Sequence, residues 1–297
     1  MTQHRAEEAP LWRSLLYVPV TSRRFLDKAH TRGADAIQLD LEDAVAESEK
    51  EAARRLLPAA VDQLVGHGVD VVVRVNRPWR HVVRDLEVAV RPGVRGLALP
   101  KLGSAEHVQM LDEVITELEA EAGLAAGTVR LIAMVETTSG FFRLREIAAA
   151  SPRIAYLTLG TEDFATSAGI APEPELVVGP KQATVFAARA AGVRPIGLVG
   201  SIANYRDQDA FRRVCRRSRQ VGLVGASAVH PLQVPIINEE FSPSDEELDR
   251  ARRMVAAYDA ALAGGDGAVE FEGGMIDEPV VERSRQLLRL WSVGAPR

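Results

Sequence analysis

Cysteine is almost absent from this 297-residue chain: Cys215 stands alone, which excludes a disulfide framework and fits a reducing compartment. No apolar run approaches the roughly 18 residues that a membrane span requires. The first ten residues are acidic and polar rather than basic and then apolar, so no secretory leader is expected, and the expected location is the cytoplasm. Aromatics make up 5% of the chain, and the formal charge is −5, so neither a nucleic-acid surface nor an anionic membrane is an expected partner. Lysine is also scarce, supplying only four of the 36 Lys and Arg residues. What remains, 46% apolar and 26% charged, is the composition of an ordinary globular protein and argues against disorder or a fibrous repeat.

Short β-branched runs alternate with longer helical patterns, the mark of repeated βα units around a parallel sheet. Eight candidate strands recur about every 30 residues: Ser14–Pro19, Ala36–Glu42, Val71–Asn76, Gly96–Lys101, Arg130–Glu136, Ile154–Asp163, Arg194–Gly200 and Gly222–His230. Helical stretches lie between them, including one that the pair Gly179-Pro180 is expected to open and Gly192 to stop. Eight repeats favour a closed (β/α)8 TIM barrel over an open doubly wound sheet, and the turn after the first strand, Val18–Ser22, has no glycine for a dinucleotide fingerprint. The expected organisation is a flexible N-terminus over residues 1–12, a catalytic barrel over 13–240, and a helical and hairpin appendage over 241–297. In the appendage Ser244 and Glu247 form a capping box.

Catalytic groups of such barrels gather where the strands end at their C-terminal edge. Reading those ends in order gives Glu42 and Asp43, Arg74 and Asn76, Lys101, Glu136, Glu162 and Asp163, Ser201 and His230. Oxygen ligands without cysteine select a hard cation, Mg²⁺ with Mn²⁺ as the alternative, and Glu136 and Asp163 on consecutive units are the candidate pair. Each acid also fits a helix N-terminus stabilised by the dipole. Alternation along the third strand places Arg74 and Asn76 on one face, where an Arg fork suits a carboxylate or a developing oxyanion; a structural ion pair with Asp40 or Glu42 is the competing use. Lys101 admits a Schiff-base aldolase, or simply a rim lysine paired to an acid. The Gly200–Asn204 loop, with Ser201, offers backbone N–H groups to an anion.

The segments Arg13–Pro19, Gly33–Val45, Arg74-Val75-Asn76, Leu99-Pro100-Lys101, Val135-Glu136-Thr137, Gly160–Phe164, Val229-His230-Pro231 and Met275–Val281 resemble, in order and spacing, the citrate lyase beta-subunit-like members of the HpcH/HpaI aldolase superfamily. The resemblance implies a TIM barrel, Mg²⁺, and cleavage or formation of a carbon–carbon bond in a 3-hydroxyacyl-CoA with a 3-carboxylate, such as malyl-CoA or citramalyl-CoA. The products are an acyl-CoA and a small 2-oxo acid. It also implies a homo-oligomer, trimer or hexamer, in which the appendage closes a neighbour's site. By the same resemblance Glu136 and Asp163 hold the metal, Arg74 meets the substrate, Asp277 is the acid/base, and Glu42 and Asp43 stand near the metal's waters. The strand-end reading adds Glu136, Asn76 and Ser201 as candidate substrate contacts and Lys101 as a residue behind the metal. Two departures, Val20 after the first-strand proline and an acid-free stretch over Ile196–Asn204, bear on the acyl group. The alternatives are the citryl-carrier-protein lyase subunit of a citrate lyase complex, and a non-catalytic CoA- or oxo-acid-binding module.

Overall fold

The structure is a computed structural model that describes residues 10–203 and 205–294. Eight parallel strands follow one another around a barrel: β1 (Ser14–Pro19), β2 (Ala36–Asp40), β3 (Asp70–Arg74), β4 (Val94–Leu99), β5 (Arg130–Val135), β6 (Ile154–Leu159), β7 (Arg194–Ile196) and β8 (Ala226–Ala228). Ladders run unbroken from β7 through β6 to β1 and on to β8. Across the remaining seam, Gly197 N–H donates to the Gly225 carbonyl at 2.8 Å and Val224 N–H to the Pro195 carbonyl at 2.9 Å, so the cylinder is nearly closed. The TIM-barrel expectation holds, because strands buried on both faces read as continuous apolar runs.

The helices of the outer ring are α1 (Arg23–Ala29), α2 (Lys50–Gly66), α3 (Trp79–Ala89), α4 (Ala105–Glu121), α5 (Thr138–Phe141), α6 (Leu144–Ala149), α7 (Thr161–Ala168), α8 (Pro174–Ala191), α9 (Gln208–Val221) and α10 (Gln233–Glu240). One helix start departs from expectation. α8 begins at Pro174, after an extended Glu173, and carries Pro180 inside it. Proline at N1 costs nothing because that N–H has no intrahelical partner, whereas Pro180 forgoes a bond and is tolerated early in a long, well-packed helix. Gly192 does end the helix, in the left-handed conformation.

The barrel has two apolar layers. One lies between strands and helices, and the other fills the interior with Leu15, Val72, Ala98, Ile132, Met134, Tyr156 and Ile196 below the C-terminal edge. Trp12 belongs to that interior. It is 1% exposed, its ring stacks on Tyr156 with centroids 5.3 Å apart, and its indole N–H donates to Asp70 at 2.8 Å. The expected flexible N-terminus therefore stops short of Leu11 and Trp12, which are buried and close the bottom of the barrel; its first nine residues lie outside the described ones. An exposed chain end does not read as core, yet one large ring with a hydrogen-bonded N–H is what an otherwise open barrel end accommodates.

A second compact unit starts at Ser242. It consists of α11 (Asp245–Ala263), the antiparallel hairpin β9 (Ala268–Phe271) and β10 (Gly274–Asp277), and α12 (Glu278–Gly294). The Ser244/Glu247 capping box opens α11, and Met254, Tyr258, Ile276 and Val281 form the unit's own small core. No helix among the described residues is long and apolar enough to cross a membrane.

Candidate active site at the C-terminal edge of the barrel

A cavity of about 870 Å³ opens at the C-terminal edge, lined by Tyr17, Asp40, Asp43, Arg74, Glu136, Gly160, Asp163, Lys181, Gly197 and His230 among others. Glu136 follows β5 and is 4% exposed. Its carboxyl is pushed up to about 7 by burial, and then by the negative charges of Glu42 and Asp163. One oxygen accepts the backbone N–H of Lys101 at 2.8 Å. That N–H is aimed by an unusual backbone: Lys101 has φ of +51°, a left-handed conformation that costs a non-glycine residue about 1–3 kcal/mol and is held only where neighbours enforce it. Asp163 sits in the first turn of α7, beyond the end of β6, so the candidate pair comes from one strand end and one helix start.

Gly160 is what lets the Glu136 side chain lie there. A Cβ at this position would fall 2.7 Å from the Glu136 Cγ and 2.8 Å from Oε1, closer than real contacts allow. Gly160→Ala is therefore expected to displace the carboxylate and to weaken Mg²⁺ binding by about 10- to 100-fold, the usual cost of disturbing a ligand's support. The thermal midpoint should scarcely move. Calorimetric titration of both proteins with Mg²⁺ checks this, and equal affinities would show that Glu136 does not hold the ion.

Arg74 ends β3 beneath the ring of Tyr17, with its guanidinium carbon 4.6 Å from the ring centre. Nε and Nη2 donate to the two oxygens of Asp40 at 2.8 and 2.6 Å, and Nη1 lies 2.8 Å from Glu42 and 3.6 Å from Asp43. The ion-pair use of Arg74 is thus real, and the residue also faces the cavity. Burial, only partly countered by Arg74, pushes the Glu42 carboxyl up. Lys101 Nζ bridges Glu42 at 3.0 Å and Asp43 at 3.6 Å. Burial pulls its amine down, but the Glu42 hydrogen bond and charge outweigh this and carry it up. A raised amine is the reverse of what a Schiff-base nucleophile needs, so Lys101 is the rim lysine paired to acids.

Two expected substrate contacts are not among the residues lining the cavity. Asn76 does not share a face with Arg74, because the strand stops at Arg74 and the chain turns. Its side-chain amide donates to the Leu41 carbonyl at 2.9 Å and to Asp85 at 2.7 Å, away from the cavity. The Ser201 hydroxyl accepts the Ala203 N–H at 3.1 Å, and Gly200 and Ile202 on either side line the cavity. Asn204 lies outside the described residues. Asp277 is carried by the second unit, exposed at the end of β10. Cys215 is fully buried, as a small apolar residue would be.

Other lining residues went unnoticed in the sequence. Arg24, Phe25 and Lys28 of α1, with Arg32 just beyond it, line the outer cavity. Arg24, Lys28 and Arg32 recur at four-residue intervals, a spacing that marks one helix face but reads equally well as a solvated surface. Lys181 of α8 is the other. It is 1% exposed, its ammonium donates to the Leu159 carbonyl at the end of β6, and burial pushes its amine down to about 7. In the unfolded chain a lysine holds its proton to about 10.4, so between these two values folding sheds a proton and stability rises with pH. The wild type is expected to gain thermal stability relative to Lys181→Met between about pH 7 and 10. A difference in midpoint that ignores pH would contradict the placement.

The donor set suits a divalent metal. Among the described residues no group of three or more His, Cys, Asp or Glu side chains forms a complete ligand set. A buried carboxylate flanked by further acids, with only one backbone N–H on it, nevertheless calls for a hard cation, and Mg²⁺ commonly takes one or two carboxylates and keeps its remaining positions for water or substrate.

The model of the HpcH/HpaI aldolase/citrate lyase family matches residues 13–231, the whole of the barrel up to the His230 loop. The chain belongs to this family. Among its HpcH/HpaI relatives, citrate lyase subunit beta of Escherichia coli strain K12 is 34% identical over 281 residues, covering 93% of this chain and 92% of that protein. The L-malyl-CoA/beta-methylmalyl-CoA lyase of Cereibacter sphaeroides strain ATCC 17025 is 33% identical over 300 residues, covering 93% of each. A crystal structure of CitE from Mycobacterium tuberculosis in complex with magnesium, acetoacetate and coenzyme A superposes with a TM-score of 0.72 at 29% identity, over 95% of this chain and 98% of that one. These HpcH/HpaI relatives are carbon–carbon lyases by name, and both branches match this chain nearly end to end.

Proposed function

We propose that this member of the family is a Mg²⁺-dependent lyase that cleaves, or in reverse forms, the carbon–carbon bond of a 3-hydroxyacyl-CoA bearing a 3-carboxylate. The products are an acyl-CoA and a 2-oxo acid. The observation that carries this reading is the buried Glu136 carboxylate beside Asp163, in a cavity of the right size and at the catalytic edge of the barrel. The lyase relatives and the magnesium- and CoA-bound neighbour support it.

Glu136 and Asp163 would hold the metal, which supplies Lewis acidity and a template for the substrate's carboxylate and adjacent oxygen. Everything else is asked of the chain's own side chains. With the hydroxyl proton taken up by water, the hydroxyl oxygen becomes the oxo group, the carbon–carbon bond breaks, and its electron pair passes into the thioester as an enolate. Arg74 faces that developing charge with a guanidinium already held rigid by Asp40 and Glu42, so little reorganisation is needed as charge grows. Asp277 would then protonate the enolate carbon, or in the forming direction remove the α-proton. Glu42, Asp43 and Lys101 form the charged lattice that fixes Arg74 and the Lys101 peptide. Arg24, Lys28 and Arg32 offer the outer cavity three cations for the phosphates of CoA. The assembly proposed is a homo-oligomer in which Asp277 serves an adjoining subunit, and the compartment proposed is the cytoplasm.

The test is cleavage of malyl-, citramalyl- and citryl-CoA, with Mg²⁺ and with excess EDTA, following release of free oxo acid. EDTA-sensitive release of glyoxylate, pyruvate or oxaloacetate is expected and names the substrate branch. EDTA-resistant turnover would remove the metal from the mechanism. Silence on all three would favour the second reading, a carrier-protein thioester, to which the citrate lyase beta subunits among the relatives point.

A further inference from the structure

Arg77 is a half-buried cation that the mechanism above leaves unused. Among the described residues no carboxylate pairs with it, and its hydrogen bond runs from Nε to the Lys101 carbonyl at 3.2 Å. His107 of α4, across the same crevice, supplies no counter-charge. Burial, and then the charge of Arg77, pulls that imidazole down to about 4, so it stays neutral. The stem of Arg77 is firmly mounted. Asn76 before it is tied to Asp85 through backbone and side-chain N–H groups, both at 2.7 Å, and Pro78 after it restricts the Arg77 backbone. An arginine with no acid partner, held rigidly against one carbonyl, is unlike a structural ion pair.

The carbonyl it grips belongs to a strained residue. Lys101 has φ of +51°. Glycine would adopt that conformation freely, but the Lys101 ammonium is engaged with Glu42. Two peptides meet at Lys101. The first directs its N–H at Glu136, at 2.8 Å. The second carries the carbonyl that Arg77 holds and the Leu102 N–H, which donates to the Met134 carbonyl at 3.0 Å. Relief of the left-handed twist requires one of these peptides to turn against the other. With the second pinned at both its polar groups, the first stays directed at Glu136. The next carbonyl is confined as well: a Cβ at Gly140 would fall 2.6 Å from the Leu102 oxygen, so this segment lies close against α5.

We infer that Arg77 is a positioning residue of the metal site: by holding the Lys101 carbonyl it keeps the Lys101 N–H on Glu136, and so sets the carboxylate that receives Mg²⁺. This rests on the lyase reading and goes beyond it, because Arg77 is not among the residues that line the cavity. The charge of Arg77 and its hydrogen bond make opposite demands. A cation near the site repels Mg²⁺, so removing the charge alone would tighten binding. Removing the hydrogen bond frees the ligand's support and weakens binding.

The test is calorimetric titration of the full-length protein with Mg²⁺, as wild type and as two variants. Arg77→Met keeps the aliphatic stem but loses every donor, and is expected to bind Mg²⁺ about tenfold more weakly, or worse. Arg77→Gln places an amide nitrogen as many bonds from the backbone as the arginine Nε, without the charge. It should stay within about threefold of the wild type. Arg77→Ala, also without a donor, replaces the Met variant should that one fail to fold. A donorless variant that binds as tightly as the wild type, or more tightly, overturns the inference. So does a Gln variant as weak as the donorless one. In both cases Mg²⁺ binding by the wild type leaves the lyase reading standing. If the wild type takes up no Mg²⁺, that reading fails and the inference falls with it.

Discussion

Arg74→Met is expected to destabilise the protein by about 3–5 kcal/mol, the cost of stripping a buried ion pair of one partner. The guanidinium holds Asp40 by two hydrogen bonds and Glu42 by a close contact, and the side chains of those acids are only 1% and 7% exposed. Without it, two carboxylates share a cavity wall with Glu136 and Asp163, and Lys101 is left as the nearby counter-charge. Asp40 keeps the backbone N–H groups of Glu42 and Ala44, so the site should not collapse outright. Urea denaturation measures the loss. Adding Asp40→Asn should recover part of it, because a neutral amide no longer demands a cation. An Arg74→Met variant as stable as the wild type would mean that the pair is dispensable and that Arg74 is retained for chemistry alone. Activity should fall in either case, since the group facing the developing negative charge is gone.

A larger effect on turnover is expected from Glu136→Gln and Asp277→Asn, each of which should lower cleavage by at least about 10³-fold while the protein remains folded. The informative experiment combines them. If Asp277 serves an adjoining subunit, unfolding the two inactive variants together and refolding them at equal ratio should restore activity in about one site in four. That site takes its metal carboxylates from one variant and its acid/base from the other. A head-to-tail ring permits this exchange, because every subunit both lends and receives a segment. A mixture as inactive as its parts would show that each site is completed within its own chain. Mixing either variant with itself supplies the background.

The barrel was largely legible in the sequence. Strands buried on both faces leave uninterrupted apolar runs, and all eight were located within a few residues of their starts. The ends were less legible, since β2, β3, β4, β5 and β6 stop at Asp40, Arg74, Leu99, Val135 and Leu159, before the polar residues that follow them. Those residues then leave the alternation of the strand. Asn76 could not be placed correctly for that reason, as its direction is set by Asp85 on α3 and not by its neighbours in sequence. Glu136 and Asp163 both line the cavity, but nothing in the sequence reported the left-handed Lys101 peptide that holds Glu136. Phe142, next to Phe141, is 84% exposed, because the chain turns out of α5 at that point. Lys181 was silent for a different reason. A lysine in the middle of a helix resembles any solvated lysine until its burial and the Leu159 carbonyl are seen.

The unladdered seam of the barrel has a bearing on motion. β7 and β8 are three residues each and meet through two backbone hydrogen bonds, whereas every other neighbouring pair shares a ladder. The cost of local opening follows the number of buried bonds that must break together, so this seam is where the cylinder parts most cheaply. The segments beside it carry Gly197, Leu198, Gly200, Ser227, Val229 and His230, which form one side of the cavity. Glu136, Arg74 and Asp40, on the other side, are anchored in the continuous part of the sheet. The cavity is thus bounded by a seam with few backbone bonds and by an ionic framework set in the continuous sheet, so one cylinder joins its weakest and its firmest parts around a single site.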